Sequence, residues 1–354
     1  MLSELRLSNF RCFESFDCSL EGGTTLFVGE NAQGKTSILE SICMLMRLQS
    51  PRSNKVIDQI RFGAEVFSIE GTLLGKRILF SAAGPRRRMM VDNEAFSKRK
   101  EYLMETGLVV WIGNDDIDLV RGGSESRRRY LDFGASQLNA GYLPALRAYT
   151  RALRARNFLL KRDSNPCWDQ IDSYTKLLVL HGSIIAEQRS NLVSSLAPFA
   201  KELQSEVSGK DEFLALHYRR SGDDDLKLAY EQSREAESKQ RVTLVGPHRD
   251  ELELSINSLS ASKFASEGQQ RTIALSLKIA QSHVLREHKG VDPILLIDDI
   301  FGELDSFRRN RLLSCLPQGA QRIITTTSLG WASDDCLKGS RCYALENGSI
   351  NELR

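Results

Sequence analysis

The sequence lacks the features that mark secreted, disulfide-stabilised and membrane-spanning proteins. Its seven cysteines are scattered over 354 residues without a CxxC pair, which argues against a disulfide framework and favours a reducing compartment. No apolar run reaches the length of a transmembrane helix. The N-terminal stretch MLSELRLSNFRCF carries charges and lacks the apolar core of a signal peptide. These absences predict a soluble, cytoplasmic protein.

The chain also has almost no net charge, because 48 basic residues oppose 46 acidic ones. Overall charge therefore does not define a partner, but its distribution is uneven. The segment from Arg121 to Arg162 contains ten Arg or Lys residues and only two acids, Glu125 and Asp132. Such a block is typical of a surface that binds polyanions, and equally of a solvated helix surface.

Hydrophobic periodicity predicts strands near both ends of the chain and helices in the middle. The predicted strands cover residues 24–28, 65–73, 77–82, 242–245, 251–256, 294–297 and 322–326. The predicted helices cover residues 36–48, 142–160, 168–199 and 268–288, with a break at Ser164-Asn165-Pro166. One domain with a helical insertion explains this order more simply than three independent domains.

A phosphate-binding loop follows the first buried strand. The segment Gly29-Glu30-Asn31-Ala32-Gln33-Gly34-Lys35-Thr36, followed by Ser37, matches GxxxxGKS/T and opens a predicted helix. Its backbone N–H groups and the helix N-terminus suit phosphate oxygens. Lys35 is expected to reach the β- and γ-phosphates of ATP, and Thr36 to ligate Mg²⁺. A chance glycine turn is the alternative, which the strand and helix on either side disfavour.

Two aspartates end a second buried strand. Ile294-Leu295-Leu296-Ile297 runs directly into Asp298-Asp299, which places both carboxylates at the edge of a sheet. We expect Asp298 to hold Mg²⁺ and Asp299 to orient or deprotonate the attacking water. The alternative is a strand that ends in a solvated turn.

A third segment, Ser266-Glu267-Gly268-Gln269-Gln270-Arg271, precedes a predicted helix. Its hydroxyl, its glycine and the helix N–H groups suit an anion. Considered alone, the segment is equally an ordinary helix cap.

Together these motifs resemble those of ATP-binding-cassette ATPases, and within that class the chain is most similar to the RecF family of bacterial repair proteins, which is related to SMC heads. Ser266–Gln270 corresponds to the signature segment and Glu303-Leu304-Asp305 to the D-loop. Further matching segments span nearly the whole chain: Leu7–Arg11, Ile60–Ala64, Arg127–Asp132, Gly246–Asp250, Phe264–Arg271 and Leu296–Asp305.

The resemblance implies a mixed α/β ATPase head with a helical second lobe and no long coiled coil. It implies a head-to-tail homodimer around two ATP molecules, in which Ser266 of one copy touches the γ-phosphate bound by the other, with Gly268 and Gln269 beside it. Arg11 is expected to contact the α-phosphate. The implied partners are double-stranded and gapped DNA, RecR, RecO and a RecA-type recombinase.

Three groups of arginines are candidate DNA contacts, in part because of the resemblance. They are Arg86, Arg87 and Arg88 of a predicted hairpin, Arg127, Arg128 and Arg129, and the helical face formed by Arg147, Arg151 and Arg154.

The sequence departs from the family pattern in three places. Where the family usually has a proline followed by Glu-Asp, this chain has Trp111-Ile112-Gly113-Asn114-Asp115-Asp116, which weakens any role assigned to that loop. Thr325-Thr326-Thr327-Ser328 stands where many cassette ATPases have a histidine, which favours slow turnover. Gln59 is a weak candidate for the Q-loop glutamine.

The sequence thus predicts a first ATPase segment at residues 1–133, a helical lobe at 134–284 that ends in the signature segment, and a second ATPase segment at 285–354. The predicted function is a slow, dimerisation-dependent ATPase that clamps DNA with ATP and releases it on hydrolysis, helping to load recombinase. The alternatives are a transporter-type subunit, a nucleotide-switched scaffold and, ranked lowest, a nuclease subunit.

Overall fold

The computed structural model describes residues 1–20, 23–53, 55–162, 167–222, 225–332, 339–346 and 348–353. Its strands are β1 (Leu2–Phe10), β2 (Phe13–Ser19), β3 (Thr24–Val28), β4 (Phe67–Leu73), β5 (Lys76–Ala83), β6 (Arg86–Val91), β7 (Glu94–Ala95), β8 (Val109–Gly113), β9 (Leu214–Arg219), β10 (Glu251–Ile256), β11 (Leu259–Ser260), β12 (Ile294–Asp298), β13 (Arg322–Thr326), β14 (Arg341–Glu346) and β15 (Ser349–Glu352).

The helices are α1 (Lys35–Arg47), α2 (Arg99–Glu105), α3 (Asp118–Arg121), α4 (Ser124–Leu138), α5 (Tyr142–Arg162), α6 (Trp168–Ser208), α7 (Leu226–Gln240), α8 (Ala261–Phe264), α9 (Glu267–Lys289) and α10 (Ser306–Cys315). Short 3-10 turns cover Val56–Gln59, Asn114–Ile117 and Phe301–Glu303. In the part of the chain that the structure describes, no helix is both long and apolar enough to span a bilayer.

The chain forms two units, one made of Met1–Asp116 with Gln281–Arg354 and the other of Ile117–Ala280. The sequence prediction set its first boundary after residue 133, inside α4. Helix α4 packs against α6 and β10, which belong to the second unit. The observed boundary therefore precedes α4.

The first unit contains two six-stranded sheets that both contact α1. One sheet has the order β15-β14-β3-β13-β12-β8 and is parallel except for the β14–β15 hairpin. The other has the order β2-β1-β4-β5-β6-β7 and is antiparallel. Because α1 packs on strands of both sheets, nearly all of its residues are buried. The parallel strands β3 and β12 end at the same edge of their sheet. The segment Gly29–Thr36 follows β3 and Asp298 ends β12, so both lie at that edge.

The second unit is mainly helical. Its longest helix, α6, has 41 residues and continues past Pro198 to a left-handed Gly209 cap, so it extends beyond the predicted end at residue 199. A small antiparallel sheet, β11-β10-β9, completes the unit. Helices α5 and α6 begin where the sequence predicted, whereas the predicted break at Ser164-Asn165-Pro166 lies outside the described residues.

The predicted strand at residues 242–245 is wrong, since this segment has no ladder partner. Side chains bind its backbone instead: the N–H of Thr243 donates to Asn157 Oδ1, and that of Leu244 donates to Glu237 Oε1. An apolar run predicts burial, but tertiary contacts decide whether the buried backbone pairs with a strand or with side chains.

Candidate nucleotide-binding and catalytic site

The phosphate-binding loop lies between β3 and α1, as its sequence predicts. Gly34 caps α1 with φ of 100°, a conformation that side chains with a Cβ rarely adopt. A Cβ at this position would lie 2.7 Å from both the Sγ of Cys12 and the ring of Phe13. The second glycine of the motif is therefore required both by backbone conformation and by packing.

Lys35 is folded back along the loop and is buried. Its Nζ donates to the carbonyl oxygens of Gly29 and Glu30, the latter at 2.7 Å. Burial lowers the pKa of Lys35, and the nearby Asp299 and Asp298 oppose that shift. A partly desolvated ammonium attracts an anionic phosphate more strongly than one in water does.

Asp298 is the centre of a small hydrogen-bonded cluster at the end of β12. Its Oδ1 accepts from the hydroxyl of Thr36 at 3.0 Å and from that of Thr325 at 2.7 Å. Strands β12 and β13 pair Asp298 with Thr325 in register, so the sheet itself sets the second contact. Burial raises the pKa of Asp298, and the two hydrogen bonds partly offset that rise.

The donor set around Asp298 fits Mg²⁺. A hydroxyl and a carboxylate are the hard oxygen ligands that this ion takes beside phosphates. Thr36 and Asp298, the two predicted ligands, contact each other directly. Their meeting depends on β3 and β12 ending at one edge of the parallel sheet.

Asp299 follows Asp298 with φ of 50°, an uncommon conformation for a non-glycine residue. Its N–H donates to the carbonyl oxygen of Thr325 at 3.1 Å, and its Oδ1 accepts from the backbone N–H of Thr327 at 3.2 Å. Burial raises the pKa of Asp299 and Lys35 opposes the shift. A non-glycine residue held at positive φ is often found at functional sites.

Asn114 is a site residue that the sequence prediction missed. Its Nδ2 donates to Glu303 Oε1 at 2.8 Å and to the carbonyl oxygen of Asp299 at 3.3 Å. Strand β8 pairs Gly113 with Asp298 in register, so Asn114 leaves the sheet beside Asp299. A partial signal was present, because the apolar run Val109–Ile112 is followed by Gly113 and then by polar residues. The run predicts a buried strand but not its pairing with β12.

Gln59, the weak Q-loop candidate, ends the short 3-10 turn Val56–Gln59. Its backbone oxygen accepts from the N–H of Arg11, and its amide is buried without a partner among the described residues. Asn114 is the amide side chain that contacts Asp299.

Arg11, the predicted α-phosphate contact, is held by Glu40 of α1. Its Nε and Nη2 donate to the two carboxylate oxygens at 2.8 and 2.6 Å, and its Nη1 donates to the carbonyl oxygen of Asp58. Glu40 is fully buried. This bidentate pair fixes the guanidinium beside the helix that begins at the phosphate-binding loop.

In the second unit, the signature segment forms a reciprocal cap at the start of α9. The backbone N–H of Gln269 donates to Ser266 Oγ at 3.3 Å, and the N–H of Ser266 donates to Gln269 Oε1 at 2.9 Å. The side chain of Gln269 also donates to Glu212 at 3.0 Å. Ser266 itself is exposed, and Gly268 is partly so. The segment is thus a helix cap by geometry, and its hydroxyl faces the surface.

The arginines predicted to contact DNA fall into two groups. Arg127 is half-buried and donates to Glu251, Leu119 and Gly122, while Arg128 donates to the carbonyl oxygen of Asp250. These two have structural contacts. The exposed members are Arg129, which pairs with Glu125, the hairpin residues Arg86, Arg87 and Arg88, and Arg147, Arg151 and Arg154 of α5.

The segment Gly246–Asp250 packs inside the second unit. His248 Nδ1 lies 2.7 Å from the hydroxyl of Tyr149, and burial lowers the pKa of His248 to about 4. Asp250 accepts from the hydroxyl of Tyr218 and the N–H of Ser221. These contacts give the segment a structural role as a packed turn.

A phosphate-binding loop that meets two strand-end aspartates on a parallel sheet, with an antiparallel sheet on the same helix, defines an ABC/SMC-type P-loop ATPase. A family model for the AAA domain matches residues 4–260. The solved head domain of Smc bound to the C-winged helix domain of ScpA shares the fold at 14% identity, with a TM-score of 0.56 over 99% of this chain and 97% of that one.

Proteins with higher sequence identity to this chain belong to a single family within this class. The DNA replication and repair protein RecF of Synechococcus sp. (strain JA-3-3Ab) is 34% identical over 366 residues, which cover 98% of this chain and 96% of that protein. The solved structure of the recombination mediator protein RecF-ATP in the RecFOR pathway matches with a TM-score of 0.89 and 29% identity, over 100% of this chain and 97% of that one. The chain belongs to the RecF family.

Proposed function

We propose that this protein is an ATP-dependent DNA-binding protein of recombinational repair and replication-gap processing. ATP joins two copies around DNA, and hydrolysis releases them. The observation that carries this function is the contact between Thr36 and Asp298, at 3.0 Å, with Asp299 and Lys35 beside it. Its relatives are named for DNA replication and repair, and a solved relative is described with ATP.

The site residues divide the work of phosphoryl transfer to water. Lys35 leaves its carbonyl partners to bind the β- and γ-phosphates, and the loop N–H groups surround the phosphate oxygens. Thr36 and Asp298 hold Mg²⁺, which neutralises charge on the phosphates. Asp299 orients the attacking water and accepts its proton, a role that its raised pKa favours.

The second half of the site comes from another copy of the chain. Ser266 presents an exposed hydroxyl at the N-terminus of α9, where the helix dipole favours an anion. Gly268 permits close approach of backbone N–H groups, and Gln269 holds the cap in shape. We propose that these residues contact the γ-phosphate bound by the partner copy, and that Arg11 contacts the α-phosphate.

The rival functions predict different behaviour. A transporter-type subunit would not bind DNA, and the names of the relatives favour repair over transport. A nucleotide-switched scaffold would bind ATP without turnover, whereas the site retains both aspartates and a phosphate-binding lysine. We therefore keep a slow ATPase, active as a dimer, as the proposed enzyme.

The finer partners belong to the same proposal. Double-stranded and gapped DNA are the proposed nucleic acids, and RecR, RecO and a RecA-type recombinase the proposed proteins. A solved relative is the recombination mediator protein RecF of the RecFOR pathway, and we propose the cytoplasm as the location of this protein.

The direct test is binding of the purified protein to blunt duplex, single-stranded and gapped DNA without nucleotide, with ATP and with ADP. We expect ATP to increase binding to duplex and gapped DNA, ADP to have little effect, and affinity to fall steeply as salt rises. DNA binding that is absent in every nucleotide state would contradict the proposed function.

A further inference from the structure

One face of α5 combines cations with an exposed aromatic ring. Arg147, Arg151, Arg154, Phe158 and Lys161 are all exposed and follow one another at helical spacing. Phe158 is 63% exposed. Helix α5 contains neither Asp nor Glu, so the helix itself offers these cations no acidic partner.

The remaining arginine in the middle of α5 has a different role. Arg156 is buried and pairs with Glu237 at 2.6 Å, so it does not contribute to the exposed face. Among the described residues, Arg151 and Arg154 form no ion pair. Their guanidinium groups are therefore available to a ligand in solution.

The ring of Phe158 restricts what that ligand can be. Covering an exposed apolar side chain with a flat apolar group is favourable, because it removes apolar surface from water. Stacking of a base on an aromatic ring stabilises a complex by about 1–3 kcal/mol per base. In a duplex, neighbouring base pairs already cover the faces of the bases, whereas an unpaired base has a free face. A helix that binds a membrane surface presents several apolar residues on one face. This face has a single aromatic side chain surrounded by cations, so it fits a membrane poorly.

We propose that the face formed by Arg151, Arg154 and Phe158 binds single-stranded DNA, with Phe158 stacked on an unpaired base and the two arginines on the phosphates next to it. The helix rise places Arg151 and Phe158 about 10 Å apart along the axis, a span of one to two nucleotides. The inference rests on the proposed DNA-binding function, and it assigns to α5 the recognition of the single strand in gapped DNA.

The test compares Phe158→Ala and Phe158→Trp with wild type on blunt duplex, single-stranded and gapped DNA in the presence of ATP. A matched control is Phe62→Ala, which removes another exposed phenylalanine, 101% exposed and in the other unit. We expect Phe158→Ala to weaken binding to single-stranded and gapped DNA by about 5- to 150-fold. Binding to blunt duplex stays unchanged, and the control behaves as wild type.

Phe158→Trp adds a direct readout of stacking. We expect it to retain affinity, and its additional fluorescence to be quenched by single-stranded DNA but not by blunt duplex. Phe158→Ala that binds every DNA as wild type does would overturn the inference, and so would an equal loss on blunt duplex. If wild type binds duplex with ATP while Phe158→Ala binds every DNA as wild type does, only this inference fails. If wild type binds no DNA, the proposed function fails as well.

Discussion

At the scale of single residues, the pairing of β12 with β13 affects the protonation of Asp298, because it places the hydroxyl of Thr325 against the carboxylate. Burial raises the pKa of its carboxyl group, and the hydroxyl of Thr325 opposes this rise by donating to the ionised form at 2.7 Å. Only the ionised form can bind a cation. Removal of the hydroxyl therefore makes Asp298 take up a proton at a higher pH.

We predict that Thr325→Val moves the acidic limb of the pH–rate profile for ATP hydrolysis to higher pH. The matched control is Thr327→Val, since the side chain of Thr327 is exposed and only its backbone N–H contacts Asp299. The profiles are measured by steady-state phosphate release. An acidic limb at the same pH in Thr325→Val and wild type would show that the hydroxyl does not set the ionisation of Asp298.

Asn114 acts at the same scale, through position. Its amide joins Glu303 to the carbonyl oxygen of Asp299, and so restrains the segment that follows the catalytic edge. We expect Asn114→Ala to lower kcat by about tenfold, the effect of one hydrogen bond to a charged group. The Kd for ATP should stay unchanged. Loss of ATP affinity without loss of kcat would assign Asn114 to nucleotide binding instead.

At the scale of elements, a buried ion pair holds the second unit together. Arg156 of α5 is 1% exposed and donates to Glu237 of α7, which is fully buried, and to the hydroxyls of Thr175 and Thr243. Helices α5, α6 and α7 and the irregular segment after α7 therefore meet at one guanidinium.

We predict that Arg156→Met lowers the free energy of unfolding by about 3–5 kcal/mol, because it leaves the Glu237 carboxylate buried without its counter-charge. Arg154→Met on the exposed face of the same helix should change it by about 0.5 kcal/mol or less. Urea unfolding followed by circular dichroism measures both. The double variant Arg156→Met, Glu237→Leu should recover much of the loss, and a double variant as unstable as the single one would argue against the charge mechanism.

The elements also show what a sequence can predict. The phosphate-binding loop and the strand before Asp298 were predictable from local sequence. A position at positive φ favours a glycine, and a fully buried strand favours a continuous run of apolar residues. Arg154 and Arg156 look alike in sequence, and only the packing of α7 separates a surface cation from a buried one. The contact of Asn114 with Glu303 depends on the pairing of β8 with β12, which no local pattern specifies.

At the scale of the whole molecule, the proposed site is completed by a second copy. We predict that Ser266→Arg leaves ATP binding intact but prevents ATP-induced dimerisation, because a long cation replaces the exposed hydroxyl at the start of α9. Light scattering with ATP measures the dimer. The control is Ser262→Arg, an exposed serine of α8, which should dimerise as wild type does. An ATP-induced dimer of Ser266→Arg would contradict the shared site.

We propose that ATP bound at Lys35 controls the affinity of the protein for DNA. The test compares the ATP-stimulated DNA affinity of Lys35→Met with that of the surface control Lys98→Met. Lys35 is buried in the phosphate-binding loop, whereas Lys98 is exposed and pairs only with Glu101 among the described residues. We predict that ATP no longer increases the affinity of Lys35→Met for gapped duplex DNA, while Lys98→Met responds as wild type does. ATP-stimulated binding that is unchanged in Lys35→Met would contradict it.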